Sequence, residues 1–255
     1  MSSLPHALNR TVLIEAPRTI VFEFFQDQDR WASWWGAGST IDPRPGGRAY
    51  MLLPGGVEVS GEVLEVNPPE RLVFTYGFVS GDPIGPGASR VTITLEAIGS
   101  DTRLHLLHEF EDEKVRDEHV QGWRFQLSLF ANAVANRLHA GVAAIVDQWF
   151  AAWAEPDLQK RNAVLSSIGV PDIVFRDRFS LLSGLDDLSA HITAAQRFMP
   201  GLRLTRIADV RHCQGMVLAD WNAVDPAGAV KGSGSNVFSM NADGQIASAT
   251  GFWNG

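Results

Sequence analysis

A single cysteine, Cys213, leaves this chain without an internal disulfide. Its core must be held by burial, as is usual in a reducing compartment, and a cytoplasmic location is expected. Long hydrophobic runs are also missing. No stretch approaches the roughly 20 apolar residues of a membrane-spanning helix. The opening "MSSLPHALNR" lacks the apolar segment of a secretory signal. Neither membrane insertion nor export is expected. Basic residues are in deficit, with 21 Lys and Arg against 29 Asp and Glu and a net charge of −8. The deficit holds in both halves, 12 against 18 over residues 1–138 and 9 against 11 over 139–255. That excludes the basic face nucleic acid requires. There is no His-Glu-x-x-His helix, no cysteine pair and no phosphate-loop signature, so no metal and no cofactor is expected.

Tryptophan is plentiful but unevenly spread. Three of the eight fall in "WASWWG", residues 31–36. Tryptophan is large and tends to keep its polar edge wet. Such a cluster fits a thick core corner, the mouth of an apolar cavity, or a partner surface.

The first half changes period twice. Val21, Phe22, Phe24 and Phe25 form a helical stripe after Pro17, and Trp31, Trp34 and Trp35 continue the spacing until Gly36. From Val57 the period is two: Val57, Val59 and Val63, then Leu72, Phe74 and Tyr76, then Val91, Ile93 and Leu95, then Leu104, Leu106, His108 and Phe110. This predicts an antiparallel meander with one apolar face. Val120, Trp123, Leu127, Phe130 and Val134 return to helical spacing and should cover that face. "EFEDEKVRDEH" reads as a solvated helix start.

A second stripe follows: Val142, Ile145, Trp149 and Trp153. The boundary is placed near residues 139–141, giving domains over 1–139 and 140–255. The second half reads helix, helix, short strand pair, helix, then three or four strands, with Asp243-Gly244 as a hairpin turn. The predicted fold class is α+β in two domains.

The segments "VLIEAPRTIVFEFF", "WASWWG", "PRPGGRAYM", "GEVLEVNPPERLVFTY" and "GWRFQLSLFANAV" resemble START-like, birch-pollen-allergen-like domains, and more narrowly bacterial homologues of the heat-shock-protein ATPase activator. The resemblance implies a helix-grip fold, a curved antiparallel sheet closed by a long C-terminal helix around an apolar cavity. Eukaryotic activators carry a separate chaperone-binding domain, which has no counterpart here, so a chaperone partner is not expected. "IVDQWFAAW", "DIVFRDRF", "GLDDLSAHI" and "GSGSNVFSMNADGQIASATGF" resemble the SnoaL-like, nuclear transport factor 2-like group. That implies a cone-shaped α+β barrel with a pocket at its wide end, commonly dimerised through the sheet. A homodimer through the C-terminal domain is expected.

These folds place candidate residues. In the first domain Trp31, Trp34 and Trp35 would cap the cavity, with Tyr50, Phe74, Tyr76 and Trp123 lower down. They either fill the core or hold a small hydrophobic or aromatic molecule. His108 is either a ligand contact or a hydrogen-bonded core histidine. In the second domain Trp149, Phe179, Phe198, Trp221, Asn236 and Phe238 are the pocket candidates, and Asp220 is a polar group nearby. His191 and Asp177 could pair there as base and orienting carboxylate, as in isomerases and dehydratases of the group. Otherwise His191 is a helix-surface residue and Asp177 an ion-pair partner of Arg176 or Arg178. Asn236 stands where relatives often place a carboxylate and cannot act as a base. "GSGS", residues 232–235, more readily permits curvature or close packing than phosphate binding. Three functions follow: a binding module for hydrophobic or aromatic molecules, an isomerase, dehydratase or cyclase using His191 and Asp177, or a chaperone-docking protein.

Overall fold

The computed structural model describes residues 4–254, which divide into two compact units between Ala135 and Asn136. The first unit opens with strand β1 (His6–Ile14), helices α1 (Arg18–Glu23) and α2 (Gln28–Trp35), and strands β2 (Thr40–Ile41) and β3 (Arg48–Leu53). Strands β4 (Val57–Asn67), β5 (Arg71–Tyr76), β6 (Ser89–Ile98) and β7 (Asp101–Phe110) follow. Helix α3 (Glu113–Leu138) then runs three residues past the division. The seven strands form one antiparallel sheet in the order β1-β7-β6-β5-β4-β3-β2.

The two-residue period decides which side chains enter the core. Val59 and Val63, Leu72 and Phe74, Val91 and Ile93, and Leu104 and Leu106 are all buried. Helix α3 buries His119, Trp123, Gln126, Leu127, Phe130 and Val134. Phe130 stacks on Phe25 of the connection after α1, with centroids 5.3 Å apart and planes within 4°. Asp27 caps α2 by accepting from the Arg30 amide at 2.9 Å. Gly36 ends α2 at φ 136°, where an added Cβ would stand 2.2 Å from the Leu52 carbonyl oxygen. Only glycine lets β3 approach the tryptophan helix so closely.

The second unit contains α4 (Val142–Ala154), α5 (Leu158–Ile168), β8 (Gly169–Arg176), β9 (Leu181–Ser183) and α6 (Leu185–Phe198). Five strands close it rather than three or four: β10 (Arg203–Arg206), β11 (Arg211–Cys213), β12 (Met216–Val224), β13 (Val230–Met240) and β14 (Ile246–Trp253). The segment from Arg203 to Val224 breaks into three strands, with β10 and β11 both pairing β12. The sheet order is β10-β12-β13-β14-β8-β9. The β14–β8 pair is parallel.

Val142, Val146, Trp149 and Phe150 of α4 pack on this sheet through Trp149, whose ring meets Phe238 at 5.6 Å. Arg161 of α5 is buried and makes no ion pair among the described residues, although the Glu155 carboxylate is near enough to act on it through space. Its five N–H groups go to the Ser189 hydroxyl and carbonyl, the Thr193 hydroxyl, the Gln196 side-chain oxygen and the Glu155 carbonyl. A fully hydrogen-bonded guanidinium can remain buried, and here it ties α5 to α6.

Candidate functional site

In the first unit, α3 and the inner face of the sheet leave a cavity of about 270 Å³, measured as space open to the centre of a water molecule. Trp35, Tyr76 and Trp123 form its aromatic wall. Leu53, Pro54, Val57 and Phe125 make up its apolar rim. His119, Gly122 and Gln126 enter from α3, and among the described residues no Asp, Glu, Lys or Arg lines it. Ring centroids run continuously round the wall: Trp35 to Trp123 at 5.6 Å, Trp123 to Tyr76 at 6.4 Å, and Tyr76 to His119 at 5.7 Å.

Behind this wall sits a one-way chain of hydrogen bonds. Trp123 Nε1 donates to His108 Nδ1 at 2.8 Å. Ser89 Oγ donates its proton to the Tyr76 carbonyl at 2.9 Å, so it must accept from His108 Nε2 at 2.8 Å. His108 is therefore the neutral Nε2–H tautomer with both nitrogens occupied. Burial pushes its pKa well below the ordinary imidazole value, and neighbouring His119 adds to the effect. His119 donates Nδ1–H to the Val115 carbonyl at 2.7 Å, leaving Nε2 as an acceptor. That Nε2 and Trp35 Nε1 are buried and have no partner among the described residues.

Three of the sequence candidates, Trp35, Tyr76 and Trp123, meet at this cavity; the others do not. Trp31, Trp34 and Phe74 are core. Trp31 donates to the Tyr50 carbonyl at 3.1 Å and packs on Phe74 at 6.0 Å. Trp34 packs on Phe130 at 4.8 Å. Tyr50 faces outward, because Ala49 and Met51 take the inner positions of β3, and the Arg48 guanidinium lies 4.4 Å over its ring. His108 is a core histidine, not a ligand contact, since both its nitrogens are used. Sequence reasoning missed His119, Gln126 and Phe125. His119 lies one turn before Trp123 on the same face. The acidic run around it pointed to solvent, yet its last residue turns inward.

The second unit holds a smaller cavity of about 50 Å³ by the same measure. Trp153, Phe175, Trp221 and Trp253 surround it, with Asp177, Gln196, Asn236 and Gly251 among the remaining lining residues. Asn236 Oδ1 accepts from Trp221 Nε1 at 2.7 Å. Asp177 Oδ1 accepts from the Phe179 and Ser180 amides and the Ser180 hydroxyl at 2.8–2.9 Å. Among the described residues, Asp177 Oδ2 receives only a long contact from Trp253 Nε1, at 3.4 Å. Glycine permits this packing. A Cβ on Gly234 would stand 2.5 Å from Trp221, whereas one on Gly232 would make only an ordinary 3.5 Å contact with Trp253. Within "GSGS", Gly234 is thus the position that makes room for the Trp221 indole.

Asp177, Trp221 and Asn236 meet at this cavity. His191 does not: its ring meets Trp153 at 5.8 Å and Phe175 at 6.0 Å, and no hydrogen bond or ion pair joins it to Asp177 among the described residues. Helix α6 sets His191 against these two rings and not against the Asp177 carboxylate. Trp149 and Phe238 lie in the core beside the cavity. Phe179 and Phe198 are 65% and 86% exposed and line neither cavity. Phe179 lies in the turn after β8 and Phe198 ends α6, where side chains face out. Asp220 points to the outer face of β12 and pairs with Arg211 at 2.9 Å. Trp153, Trp253 and Gln196 were missed, although Trp153 closes the α4 stripe read from the sequence.

Residues 15–135 match the family of Activator of Hsp90 ATPase homolog 1-like protein. The matched segment covers the sheet from the end of β1 and nearly all of α3, and so includes the whole wall of the larger cavity. Among solved structures, the chain is similar to a SnoaL-like family protein from Agrobacterium tumefaciens described as a candidate isomerase. That likeness has 24% identity over 47% of this chain and 99% of the other, with a TM-score of 0.43. It is also similar to CalU16 from Micromonospora echinospora, at 26% identity over 52% and 78% of the two chains and a TM-score of 0.42. A third likeness is to protein CV1439 from Chromobacterium violaceum, at 26% identity over 50% and 95% with a TM-score of 0.41. Comparison with curated proteins finds no match. No single helix among the described residues is long and apolar enough to cross a membrane.

Proposed function

We propose that the chain is a binding module whose first unit holds one small, flat, uncharged molecule between α3 and the sheet. The observation that carries this reading is the uncharged cavity of about 270 Å³ walled by Trp35, Tyr76 and Trp123. Its size is close to the lower end of typical ligand sites, about 300 Å³, and aromatic walls reward flat apolar molecules. A histidine–carboxylate reaction in the second unit is not favoured, because His191 and Asp177 do not pair. The lone thiol and acidic surface suit a cytoplasmic protein. Pairing of two chains through the C-terminal sheet belongs to the same reading, and a light-scattering mass near that of one chain would remove it.

Naphthalene tests the cavity. Calorimetry or native mass spectrometry on the full chain should show saturable binding of one molecule. Gly122 faces open space on the cavity wall, with nothing within 4 Å of an added Cβ. Gly122→Leu should fill that space and reduce uptake at least tenfold while the fold persists. No naphthalene binding up to its solubility, or undiminished binding after that substitution, would overturn the proposal.

A further inference from the structure

The cavity of the second unit sets one formal charge among four aromatic rings. Trp153, Phe175, Trp221 and Trp253 line it, and among the described residues Asp177 is its one Asp, Glu, Lys or Arg. The rings are not stacked. Trp221 meets Trp253 at 4.9 Å with planes 83° apart, and Trp153 meets Phe175 at 5.4 Å with planes 56° apart. Each pair makes a corner, and rings so set can surround a guest on more than one side.

The two oxygens of Asp177 do different things. Oδ1 accepts from the Phe179 and Ser180 amides and the Ser180 hydroxyl, which pins the carboxylate to the turn after β8. Oδ2 lies on the side of Trp253, whose Nε1 is 3.4 Å away. No Lys, Arg or His forms an ion pair with Asp177 among the described residues, and the Arg178 guanidinium lies 4.7 Å over the Phe179 ring instead. A carboxylate beside apolar walls is costly unless a positive charge meets it. The neutral oxygens nearby are engaged: Asn236 Oδ1 by Trp221 Nε1, and Gln196 Oε1 by Arg161, which is not itself a lining residue.

We infer that this cavity is a cage for a small methylated ammonium group, with Asp177 Oδ2 as counter-charge and the four rings as walls. Ring faces attract a cation, and more strongly where water is excluded. A bare ammonium brings three N–H donors and would need more acceptors than Oδ2. A methylated one makes no such demand and spreads its charge over methyl groups that pack on indole. The size agrees. The space open to the centre of a water molecule, about 50 Å³, corresponds to a roughly spherical hollow about 3.7 Å in radius. That suits a compact tetrahedral head group and not a fused ring system. Gly251 of β14 keeps the hollow clear, since a Cβ there would stand 3.4 Å from Asp177 Cβ and 3.5 Å from Asn236 Oδ1. The inference is independent of the cavity in the first unit.

Choline and 3,3-dimethylbutan-1-ol test it, because they share a shape and differ in charge. Calorimetry on the full chain should show one choline bound saturably, at least roughly tenfold tighter than the neutral alcohol. Asp177→Asn keeps the Oδ1 acceptor for the turn and removes the charge, so it should weaken choline at least roughly tenfold and erase its advantage over the alcohol. Gly251→Val leaves the charge in place and fills the hollow, and should weaken choline likewise. If a variant fails to fold, the order of the two affinities in the unaltered chain decides. Absence of saturable choline binding, equal affinity for the two probes, or undiminished choline binding in a folded Asp177→Asn or Gly251→Val chain would overturn the inference.

Discussion

Trp123 of α3 donates its indole N–H to His108 of β7 across 2.8 Å, so the long helix and the sheet are joined by a directed polar bond inside the core. The bond fixes the tautomer of His108 and the orientation of one wall of the cavity.

Removing that donor should therefore cost more than removing an indole that donates to nothing. Trp123→Phe leaves His108 Nδ1 buried and unpaired, a penalty of about 1–3 kcal/mol beyond lost packing. Trp34 is as large and as buried, but its Nε1 has no partner among the described residues. Urea unfolding of the two variants should place Trp123→Phe below Trp34→Phe. Equal midpoints would show that the bond contributes nothing net.

Buried neutral histidines set an acid limit. Burial is the leading cause that lowers the pKa of His108 and His119 below the ordinary value near 6.5. Above that value both folded and unfolded chains hold the rings neutral, and the full stability is present. Below it the unfolded chain gains protons that the folded chain refuses. Stability is thus lost as pH falls from about 6.5 toward the depressed folded values, by up to about 1.4 kcal/mol per pH unit for each ring. His108→Gln should flatten the acid limb measured by urea unfolding between pH 7.5 and 5. An unchanged slope would mean that His108 is protonated in the fold.

Arg161 offers a test in the second unit. Arg161→Met keeps the length of the apolar stem and strips five N–H donors from Ser189, Thr193, Gln196 and Glu155. Leaving those acceptors unpaired should destabilise the unit by about 3 kcal/mol or more. Thermal unfolding followed by indole fluorescence would register it. A neutral or stabilising result would show that the helices close over the gap.

Two glycines should respond in opposite directions. Gly122 lies in α3 with open space around it, so Gly122→Ala gains helix propensity of about 0.8–1 kcal/mol. Gly234→Ala would drive a methyl within 2.2 Å of the Phe252 carbonyl oxygen and 2.5 Å of the Trp221 ring. That variant should lose stability and shift indole fluorescence as Trp221 leaves Asn236. Like effects from the two substitutions would contradict the geometry.

Much of the architecture was legible because periodicity is local. The alternation in β5 and β7 and the stripe from Trp123 to Val134 each follow from which positions face one way along a strand or helix. The same rule, applied to β3, would have turned Tyr50 outward once Ala49 and Met51 were recognised as the inner pair. The parallel β14–β8 pair and the split of residues 203–224 into three strands were not legible. They depend on contacts between segments far apart in the chain.

The sites were legible only as lists of aromatic residues. Trp31, Trp34 and Trp35 are chemically alike and adjacent, yet only Trp35 lines the cavity, because an 8-residue helix turns successive side chains through different directions. His119 was hidden in an acidic run, and His191 and Asp177 looked like partners until α6 set the histidine against Trp153 and Phe175.

The order of strands and helices and the apolar faces they present came from the sequence alone, since each is set by neighbours within a few residues. Which rings wall a cavity, which nitrogens are left unpaired and which charged groups meet came only from the tertiary structure. Those outcomes turn on distances of a few ångströms between side chains that folding brings together from separate elements.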